Sequence, residues 1–490
     1  MKKYSATSSI PTNFVTTQKF SKILISLTVM LTLIPFPIIS SASLPDYRIE
    51  QYGTSGRYYA IELIDMDNDG QVEMLAGNRG SHLVEIWKYN AISNTLELSD
   101  SVLFPQDPHA IRAGDLDGDG DKDLVVGLRF SGLYVAINTG SSWRIRRVDS
   151  TYNWEVILAD FNLDGNLDAY HGTDWGFMKI LYGDGTGNLV PGPAPTAIPV
   201  NSRPVGLNVT DLNNDGRPDL IGPTREGSNW YMRAFLNTEV SGKLTWSSVG
   251  PVAPQTAIRS FLSPSAADMN SDGYVDQVVI NPSPFSVVLY KGGISSGQLT
   301  WQPGTIDSLS TFALSAGIGD INDDGHLDIH IQGWNYFNGV RVYLGDSTGN
   351  FTYENLPLGH GVGQGNSFRL GDLNGDGRTD IATLRYDGIG DSGFLEVLYP
   401  LSPIDMITQL IATVVDLNLQ QGIENSLDAK LETTQSVLED LNDNNNVAAL
   451  NSLQAFINAV EAQRGNHISD ADADTLVNAA NSIISALTNT

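Results

Sequence analysis

One acidic pattern occurs seven times in this chain and constrains its fold more than any other feature. Each copy follows D-x-[DN]-x-D-G-x-x-[DE], and successive copies begin 50, 45, 51, 57, 52 and 52 residues apart. The copies begin at Asp65, Asp115, Asp160, Asp211, Asp268, Asp320 and Asp372. Self-similarity at a fixed period of this length is typical of a repeat architecture, so we expect one structural unit to recur seven times.

Short stretches with strand character surround each copy. A half-apolar stretch precedes the pattern, as in "YYAIELI", and an apolar stretch such as "DLVVG" follows it. A third stretch, such as "HLVEIWKY" or "VRVYLG", comes next in most units, and several units end in a Gly-rich turn such as "GDGTGNL". Three or four strands in about 50 residues are typical of a propeller blade. The sequence therefore predicts an all-β fold, a closed seven-bladed β-propeller over residues 43–401.

The pattern also supplies the ligands that calcium prefers. A calcium ion takes six to eight oxygens at about 2.3–2.6 Å from a flexible loop. Side-chain oxygens at positions 1, 3, 5 and 9, with the carbonyl at position 7, can converge on one point if the chain turns sharply at position 6. Every copy has glycine there. No His or Cys stands at positions 1, 3, 5 or 9, where side chains supply the ligands, so a hard cation is expected, Ca²⁺ ahead of Mg²⁺.

We expect up to seven calcium ions, one in each blade. The predicted ligands are Asp65, Asp67, Asp69, Glu73, Asp115, Asp117, Asp119, Asp123, Asp160, Asn162, Asp164, Asp168, Asp211, Asn213, Asp215, Asp219, Asp268, Asn270, Asp272, Asp276, Asp320, Asn322, Asp324, Asp328, Asp372, Asn374, Asp376 and Asp380. An EF-hand loop shares the first half of the pattern, but it places an acid at position 12 and continues into a helix. Position 12 is Ala76 in the first copy and Val126 in the second. Plain Asx-rich turns explain one copy but not seven with the same spacing.

The composition is strongly acidic and lacks cysteine. The chain has 56 acidic and 28 basic residues, a net charge of −28, which argues against a nucleic-acid partner because phosphate binding needs clustered Lys and Arg. There is no cysteine, so disulfides cannot brace the loops and bound metal is the alternative. We expect the metal-free form to be strained by repulsion among its acidic groups.

The first 42 residues predict export from the cell. They contain four lysines and no acid, followed by the apolar run "ILISLTVMLTLIPFPII" and then "SSAS". This order is typical of a secretory signal peptide at residues 1–42, cleaved after Ala42. A membrane anchor is the alternative, but Pro35 and Pro37 interrupt a run that is already near the short limit for a membrane span.

The seven motifs resemble FG-GAP and VCBS repeats, from which the integrin α-chain propeller is also built. The resemblance covers the propeller region and implies that the calcium hairpins lie on one face while ligands use the opposite face or its rim. The loops of that opposite face carry an aromatic residue, an arginine or both in every unit. The candidate ligand-binding residues are Tyr58, Arg79, Arg129, Trp154, Trp175, Trp230, Trp334, Tyr336 and Tyr386. Aromatic side chains with arginines at their edges suit a glycan or a peptide.

Three functions are compatible with these features. The first is a secreted, monomeric calcium-binding propeller that serves as a binding or adhesion module for an extracellular glycan or protein. The second is a polysaccharide lyase or other glycan-active enzyme on the same face, with His109, His171, Arg129 and Tyr152 as weak catalytic candidates. The third is a purely structural surface component. Packing of the aromatic residues between blades is the alternative to ligand binding.

Helical periodicity replaces the strand pattern at residues 402–490. Four segments with apolar residues at helical spacing predict a small α-helical bundle, with Gly422 and Gly465 as helix stops. The run that begins "QGIENSLDAKLE" resembles the FIMAH domain, a helical module at the C-termini of secreted proteins. Asp470, Asp472 and Asp474 imitate a calcium loop, but Thr475 replaces the glycine, so we interpret Ser469 as a helix cap with acids in the first turn.

Overall fold

A computed structural model describes most of the chain beyond residue 43. The described residues are 44–53, 58–128, 130–151, 155–172, 178–192, 202–204, 207–226, 229–238, 246–249, 254–255, 265–282, 285–309, 313, 315–332, 340–346, 348–356, 358, 361–362, 368–386, 393–439 and 445–488. The predicted signal peptide at residues 1–42 lies outside them.

The strands of the described residues form seven antiparallel sheets, and six of these follow each other along the chain. Strand β1 (Tyr47–Tyr52) precedes them. Blade 1 contains β2 (Tyr58–Ile64), β3 (Glu73–Asn78), β4 (Leu83–Asn90) and β5 (Thr95–Leu103). Blade 2 contains β6 (Pro108–Gly114), β7 (Asp123–Leu128), β8 (Gly132–Asn138) and β9 (Trp143–Asp149). Blade 3 contains β10 (Glu155–Ala159), β11 (Asp168–Gly172), β12 (Met178–Gly183) and β13 (Leu189–Pro191).

The next three sheets repeat this order. Blade 4 contains β14 (Ser202–Pro204), β15 (Asn208–Thr210), β16 (Asp219–Glu226), β17 (Asn229–Asn237), β18 (Trp246–Val249) and β19 (Pro254–Gln255). Blade 5 contains β20 (Ser265–Ala267), β21 (Asp276–Pro282), β22 (Phe285–Ser295) and β23 (Gln298–Ser308). Blade 6 contains β24 (Ser315–Gly319), β25 (Asp328–Gln332), β26 (Val340–Gly345) and β27 (Phe351–Leu356).

The seventh blade closes the ring with both ends of the propeller region. It contains β28 (Gly361–Val362), β29 (Phe368–Gly371), β30 (Asp380–Tyr386) and β31 (Gly393–Pro400). Its outermost strand is β1, which pairs with β31 from Tyr47 opposite Pro400 to Tyr52 opposite Leu395. The predicted seven-bladed propeller is therefore confirmed, and its closure by the N-terminal strand is a feature that the repeat pattern did not reveal.

Alternating side chains pack each blade against both of its neighbours. In β7, Leu124 and Val126 belong to the apolar cluster shared with blade 1, while Val125 belongs to the cluster shared with blade 3. Successive residues of a strand point to opposite faces of its sheet, so one strand contributes to two interfaces. Further clusters lie between each remaining pair of adjacent blades, including the pair formed by blades 7 and 1. The apolar core of the propeller is thus a ring of interfaces between sheets.

Four helices follow the last blade. They are α1 (Pro403–Asp416), α2 (Gln421–Glu439), α3 (Asn445–Glu461) and α4 (Asp470–Thr488). Contacts join α1 to α2, α2 to α3, α3 to α4 and α4 back to α1, and one apolar cluster fills the space between them. The predicted helical bundle is confirmed. The FIMAH resemblance stays a prediction.

The predicted cap at Ser469 and the predicted helix stops at Gly422 and Gly465 can be compared with the observed helix ends. Ser469 precedes α4, and its hydroxyl accepts a hydrogen bond from the backbone N–H of Asp472 at 3.1 Å, so the predicted cap is confirmed. Gly465 follows α3 at a φ of 69°. The interpretation of Gly422 as a helix stop is wrong, because this glycine lies in the first turn of α2. Helix α1 already ends at Asp416, and Asn418 takes the left-handed conformation after it.

None of the described helices is both long enough and apolar enough to cross a membrane.

Closure by β1 predicts how the ring responds to truncation. A variant that begins at residue 53 lacks β1, so β31 becomes an unpaired edge strand. We expect this variant to melt at a lower temperature and to self-associate, as followed by circular dichroism and light scattering. The control begins at residue 44, keeps β1 and should match the chain without its first 42 residues. Equal behaviour of the two variants would contradict the closure.

Candidate functional site

The seven acidic loops occupy the same place in every blade. Each loop joins the first strand of its sheet to the second, as between Ile64 at the end of β2 and Glu73 at the start of β3. The acid at position 9 is the first residue of the second strand in all seven blades. The seven loops therefore lie at one end of the propeller, and the loops between second and third strands lie at the other.

Two residues of each loop take a left-handed backbone conformation. The position 6 glycines have φ between 81° and 96°, so the sharp turn expected there is confirmed. Position 4 also has positive φ in every loop, between 58° and 77°. This second requirement was missed, although Asn, Asp or Gly at five of the seven positions was a signal for it. Leu163 meets it in blade 3 without the small or polar side chain that favours this conformation.

Backbone amides orient the carboxylates of the loop. In blade 3, Asp160 at position 1 accepts hydrogen bonds from the N–H groups of Asp164 and Gly165 at 3.1 and 2.8 Å. Asp164 at position 5 accepts from the N–H of Asn166 at 2.9 Å. The same contacts recur in blades 4 to 7. Since these amides fix the side chains, the acidic groups stay close together despite their repulsion.

The acid at position 9 joins the loop to the body of its blade. One of its oxygens accepts from the N–H of position 2 in every blade, at 2.7–3.1 Å. In blades 2 to 6 the other oxygen accepts from a backbone N–H of the third strand, at 2.7–2.9 Å. All seven of these acids are buried. The buried carboxylate thus connects the loop, the second strand and the third strand.

Burial makes negative charge costly at position 9. The pKa values of Asp123, Asp168, Asp219 and Asp276 lie at about 6, raised mainly by burial and also by nearby loop aspartates, while backbone hydrogen bonds lower them. The pKa values of Asp328 and Asp380 rise to about 7 for the same reasons. A buried carboxylate with such a pKa is stabilised either by a proton or by a neighbouring cation.

The donors of blade 2 fit a hard cation. Oxygens of Asp115, Asp117 and Asp123 all lie within 4.8 Å of one another. One carboxylate oxygen of Asp117 is buried and has no hydrogen-bond partner, and burial together with Asp119 raises the pKa of Asp117. Three converging carboxylates, one with a buried unpaired oxygen, form a donor set for a divalent ion such as Ca²⁺. Asp65, Asp67 and Glu73 form a similar group in blade 1.

Hydrogen bonds connect neighbouring loops. The Asn68 side chain donates to the Gly120 carbonyl at 2.7 Å, from blade 1 to blade 2. Gln71 donates to the Leu373 carbonyl at 3.2 Å, from blade 1 to blade 7. The Thr379 hydroxyl donates to Asp323 at 2.6 Å, from blade 7 to blade 6. These hydrogen bonds link the acidic loops of blades 6, 7, 1 and 2.

The opposite end of blades 1 and 2 carries a compact aromatic and charged cluster. The rings of Tyr59 and His109 lie 3.7 Å apart, and the Arg79 guanidinium lies 5.5 Å from the centre of the Tyr59 ring. Asp107 pairs with Arg79 and with His82, each at 3.2 Å. Arg79 thus lies at the end of the propeller opposite the acidic loops, and its part in ligand binding stays a prediction. Tyr58 is buried in the apolar cluster shared by blades 7 and 1, and its hydroxyl donates to Glu85 at 2.7 Å.

The side chains of the other residues that we predicted on this face lie outside the part of the chain that the structure describes. Arg129, Tyr152, Trp154, Trp175, Trp334 and Tyr336 lie outside the described residues. Trp230 and Tyr386 lie in β17 and β30, and their side chains also lie outside the described part.

The two candidate catalytic histidines lie in different blades. His109 belongs to β6 and stacks on Tyr59. His171 belongs to β11, and its Nε2 lies 3.7 Å from Asp149, which also binds Lys179 at 2.6 Å. Burial lowers the pKa of His171 to about 4. Both imidazoles are buried, so neither is open to a large substrate in this structure.

The fold and the seven loops define a β-propeller built from acidic hairpin repeats, an architecture that fits a binding module. The FG-GAP-like repeat model matches residues 65–126, 115–171, 160–222, 268–331 and 320–383. These matches cover more than half of the chain and include all seven loops, so the chain belongs to the FG-GAP-like repeat family.

Solved structures and curated proteins add two observations. A BBS1N structure in complex with ARL6DN, soaked with mercury, is 14% identical with a TM-score of 0.46, and covers 73% of this chain and 97% of that chain. The same complex soaked with lead is 13% identical with a TM-score of 0.47 and the same coverage. No curated protein sequence matches this chain.

The glycine at position 6 gives a test of the loop backbone. Gly120 has a φ of 96°, and a Cβ added there would meet no atom within 4 Å. Gly120→Ala should therefore lower the free energy of unfolding by about 1–2 kcal/mol through backbone strain alone. Gly293→Ala is the matched control, because the surroundings of Gly293 are equally open and its φ is outside the left-handed region. Chemical denaturation of both variants measures the difference, and equal losses would contradict the assignment.

Proposed function

We propose that this chain is an exported, calcium-stabilised propeller that serves as a binding or adhesion module for an extracellular glycan or protein. The order of basic, apolar and small residues in the first 42 positions supports export. The absence of cysteine supports a stabilising role for metal, since disulfides are the usual brace of exported domains.

Calcium in the loops would offset the charge of the chain. Without its first 42 residues the chain carries a net charge of −32, and 23 of its acids stand at predicted ligand positions. Seven divalent ions would reduce that charge to −18. They would also lie beside the buried position 9 carboxylates, where a neighbouring positive charge favours the ionised form. The charge and the burial of these carboxylates both support the calcium proposal.

The observation that carries the binding proposal is a pair of rings at the end of the propeller opposite the acidic loops. Phe130 lies between β7 and β8, and its side chain is 73% exposed. His82 takes the corresponding place between β3 and β4 with a half-exposed side chain. Their φ values are 66° and 61°. A bulky residue in this conformation costs energy, and such strain is concentrated at functional sites.

The cluster that contacts His82 supports the same face. Tyr59, Arg79 and Asp107 hold one another through ring and charge contacts, so their positions are set before a ligand arrives. Preorganised side chains lose little conformational entropy on binding. An exposed Phe ring, with a half-exposed His and an Arg at the same end of the propeller, suits the apolar face and hydroxyl edge of a sugar, or an aromatic residue with a charged neighbour in a protein. The proposal gives the buried His109 and His171 no catalytic role.

Removing one ring tests the binding face. Phe130→Ala should raise the dissociation constant for a bound glycan at least tenfold, about 1.4 kcal/mol, while the free energy of unfolding stays the same or rises. Ile92→Ala is the matched control, since Ile92 is 98% exposed and lies between β4 and β5 at the end of the acidic loops.

The measurement is a glycan array with the calcium-loaded chain, followed by surface plasmon resonance on each glycan that binds, with an extracellular protein panel beside it. Loss of binding in the Phe130 variant alone supports the proposed face. Equal losses in both variants, or no ligand in either panel, would contradict it.

A further inference from the structure

A lysine lies within the acidic loop of blade 1. The Lys88 Nζ is 2.5 Å from a carboxylate oxygen of Asp67, 2.7 Å from one of Asp69 and 3.1 Å from one of Glu73. These acids stand at positions 3, 5 and 9 of the motif, so the ammonium group contacts three of the four acidic side chains that would surround a metal ion. An ammonium group has three donors and one positive charge, and here it donates to Asp67 and Asp69 and forms an ion pair with Glu73.

Strand register explains how this side chain reaches the loop. Met74 pairs with Trp87, so the next pair towards the loop is Glu73 with Lys88. The residues at the same register of the third strand in blades 2 to 7 are Ile137, Tyr182, Leu236, Lys291, Leu344 and Tyr399. Only Lys291 is also basic. The Lys291 side chain reaches towards the neighbouring blade 6. Its Nζ lies 2.6 Å from the place that a Cβ on Gly349, in the outer turn of blade 6, would take.

The acid at position 9 of blade 1 also differs from its counterparts in the other blades. Glu73 is the only glutamate at position 9, and one of its oxygens accepts from the Met66 N–H at 2.7 Å, as the aspartates of the other blades do. In blades 2 to 6 the second oxygen accepts from a backbone N–H of the third strand. In blade 1 the second oxygen of Glu73 faces Lys88. The longer side chain and the lysine therefore occur together.

We propose that Lys88 is a built-in cation that takes the place of calcium in blade 1, so that this loop is stabilised without dissolved metal. A calcium ion needs six to eight oxygens at about 2.3–2.6 Å, and it cannot share the Asp67, Asp69 and Glu73 oxygens with an ammonium group at these distances. Blade 2 is the contrast, because its converging carboxylates have Ile137 at the register of Lys88.

Blade 1 lies beside the closure of the ring, so a lysine in place of calcium affects the stability of that closure. Its loop donates hydrogen bonds to the loops of blade 2 and blade 7, and blade 7 is where β1 closes the ring. A tethered lysine cannot dissociate when calcium is scarce. The loop beside the closure therefore keeps its structure in conditions that would release ions from the other loops.

Replacing Lys88 separates this role from the calcium proposal. Lys88→Met removes the charge and keeps most of the side-chain length, Lys88→Arg keeps the charge, and Lys291→Met is the control at the same register of blade 5. In EDTA, the Lys88→Met chain should melt about 2 °C or more below the wild type. Lys88→Arg and Lys291→Met should stay within about 1 °C of it. Far-UV circular dichroism at 20 °C confirms that each full chain is folded before its melt.

Calcium counting by equilibrium dialysis and atomic emission is the second measurement. This measurement rests on the proposed function, because it assumes that the other loops bind calcium. We expect Lys88→Met to bind one calcium ion more than the wild type. An equal count in wild type and Lys88→Met when both bind calcium, or equal stability of the two in EDTA, would overturn the inference. If no chain binds calcium, the calcium proposal fails, while a selective loss of stability in Lys88→Met still supports Lys88 as the cation of blade 1.

Discussion

A buried carboxylate at the start of the second strand is the contact on which each blade depends. It accepts one hydrogen bond from the acidic loop and, in blades 2 to 6, another from the third strand. An aspartate at this position therefore joins the acidic loop, the second strand and the third strand of its blade. When this group is ionised both of its oxygens accept, so it satisfies both N–H groups at the cost of a buried negative charge. The loop that surrounds it brings further acids close to that charge.

The ring follows from repeating this unit. Strands such as β7 contribute apolar side chains to both faces, so every blade needs two neighbours and the seven interfaces support one another. At one end of the ring, hydrogen bonds pass from loop to loop around blades 6, 7, 1 and 2. Seven acidic loops at one end also concentrate negative charge there. Cations in the loops would relieve this repulsion, and the lysine of blade 1 provides one such cation within the chain itself.

Much of this architecture could be predicted from one repeated motif, because its glycine and its acids have local backbone roles. The position 6 turn and the start of the second strand at position 9 are examples. The closure by β1 could not be read from the repeat, since β1 precedes the first motif and pairs with a strand more than 300 residues away. The role of Lys88 depends on strand register, which spacing along the chain does not define. Gly422 shows that a local signal can also give a wrong prediction. Its glycine indicated a helix stop, but it lies within the first turn of α2.

The most direct measurement is the free energy of unfolding as a function of free calcium, from EDTA-buffered solution to millimolar concentrations. If the loops bind calcium only in the folded chain, each saturating site adds about 1.4 kcal/mol per tenfold rise in calcium, so several sites produce a slope several times larger. We predict a rising curve whose slope corresponds to more than one ion. A free energy of unfolding that stays constant across this range would contradict the proposal that bound cations hold the acidic loops together.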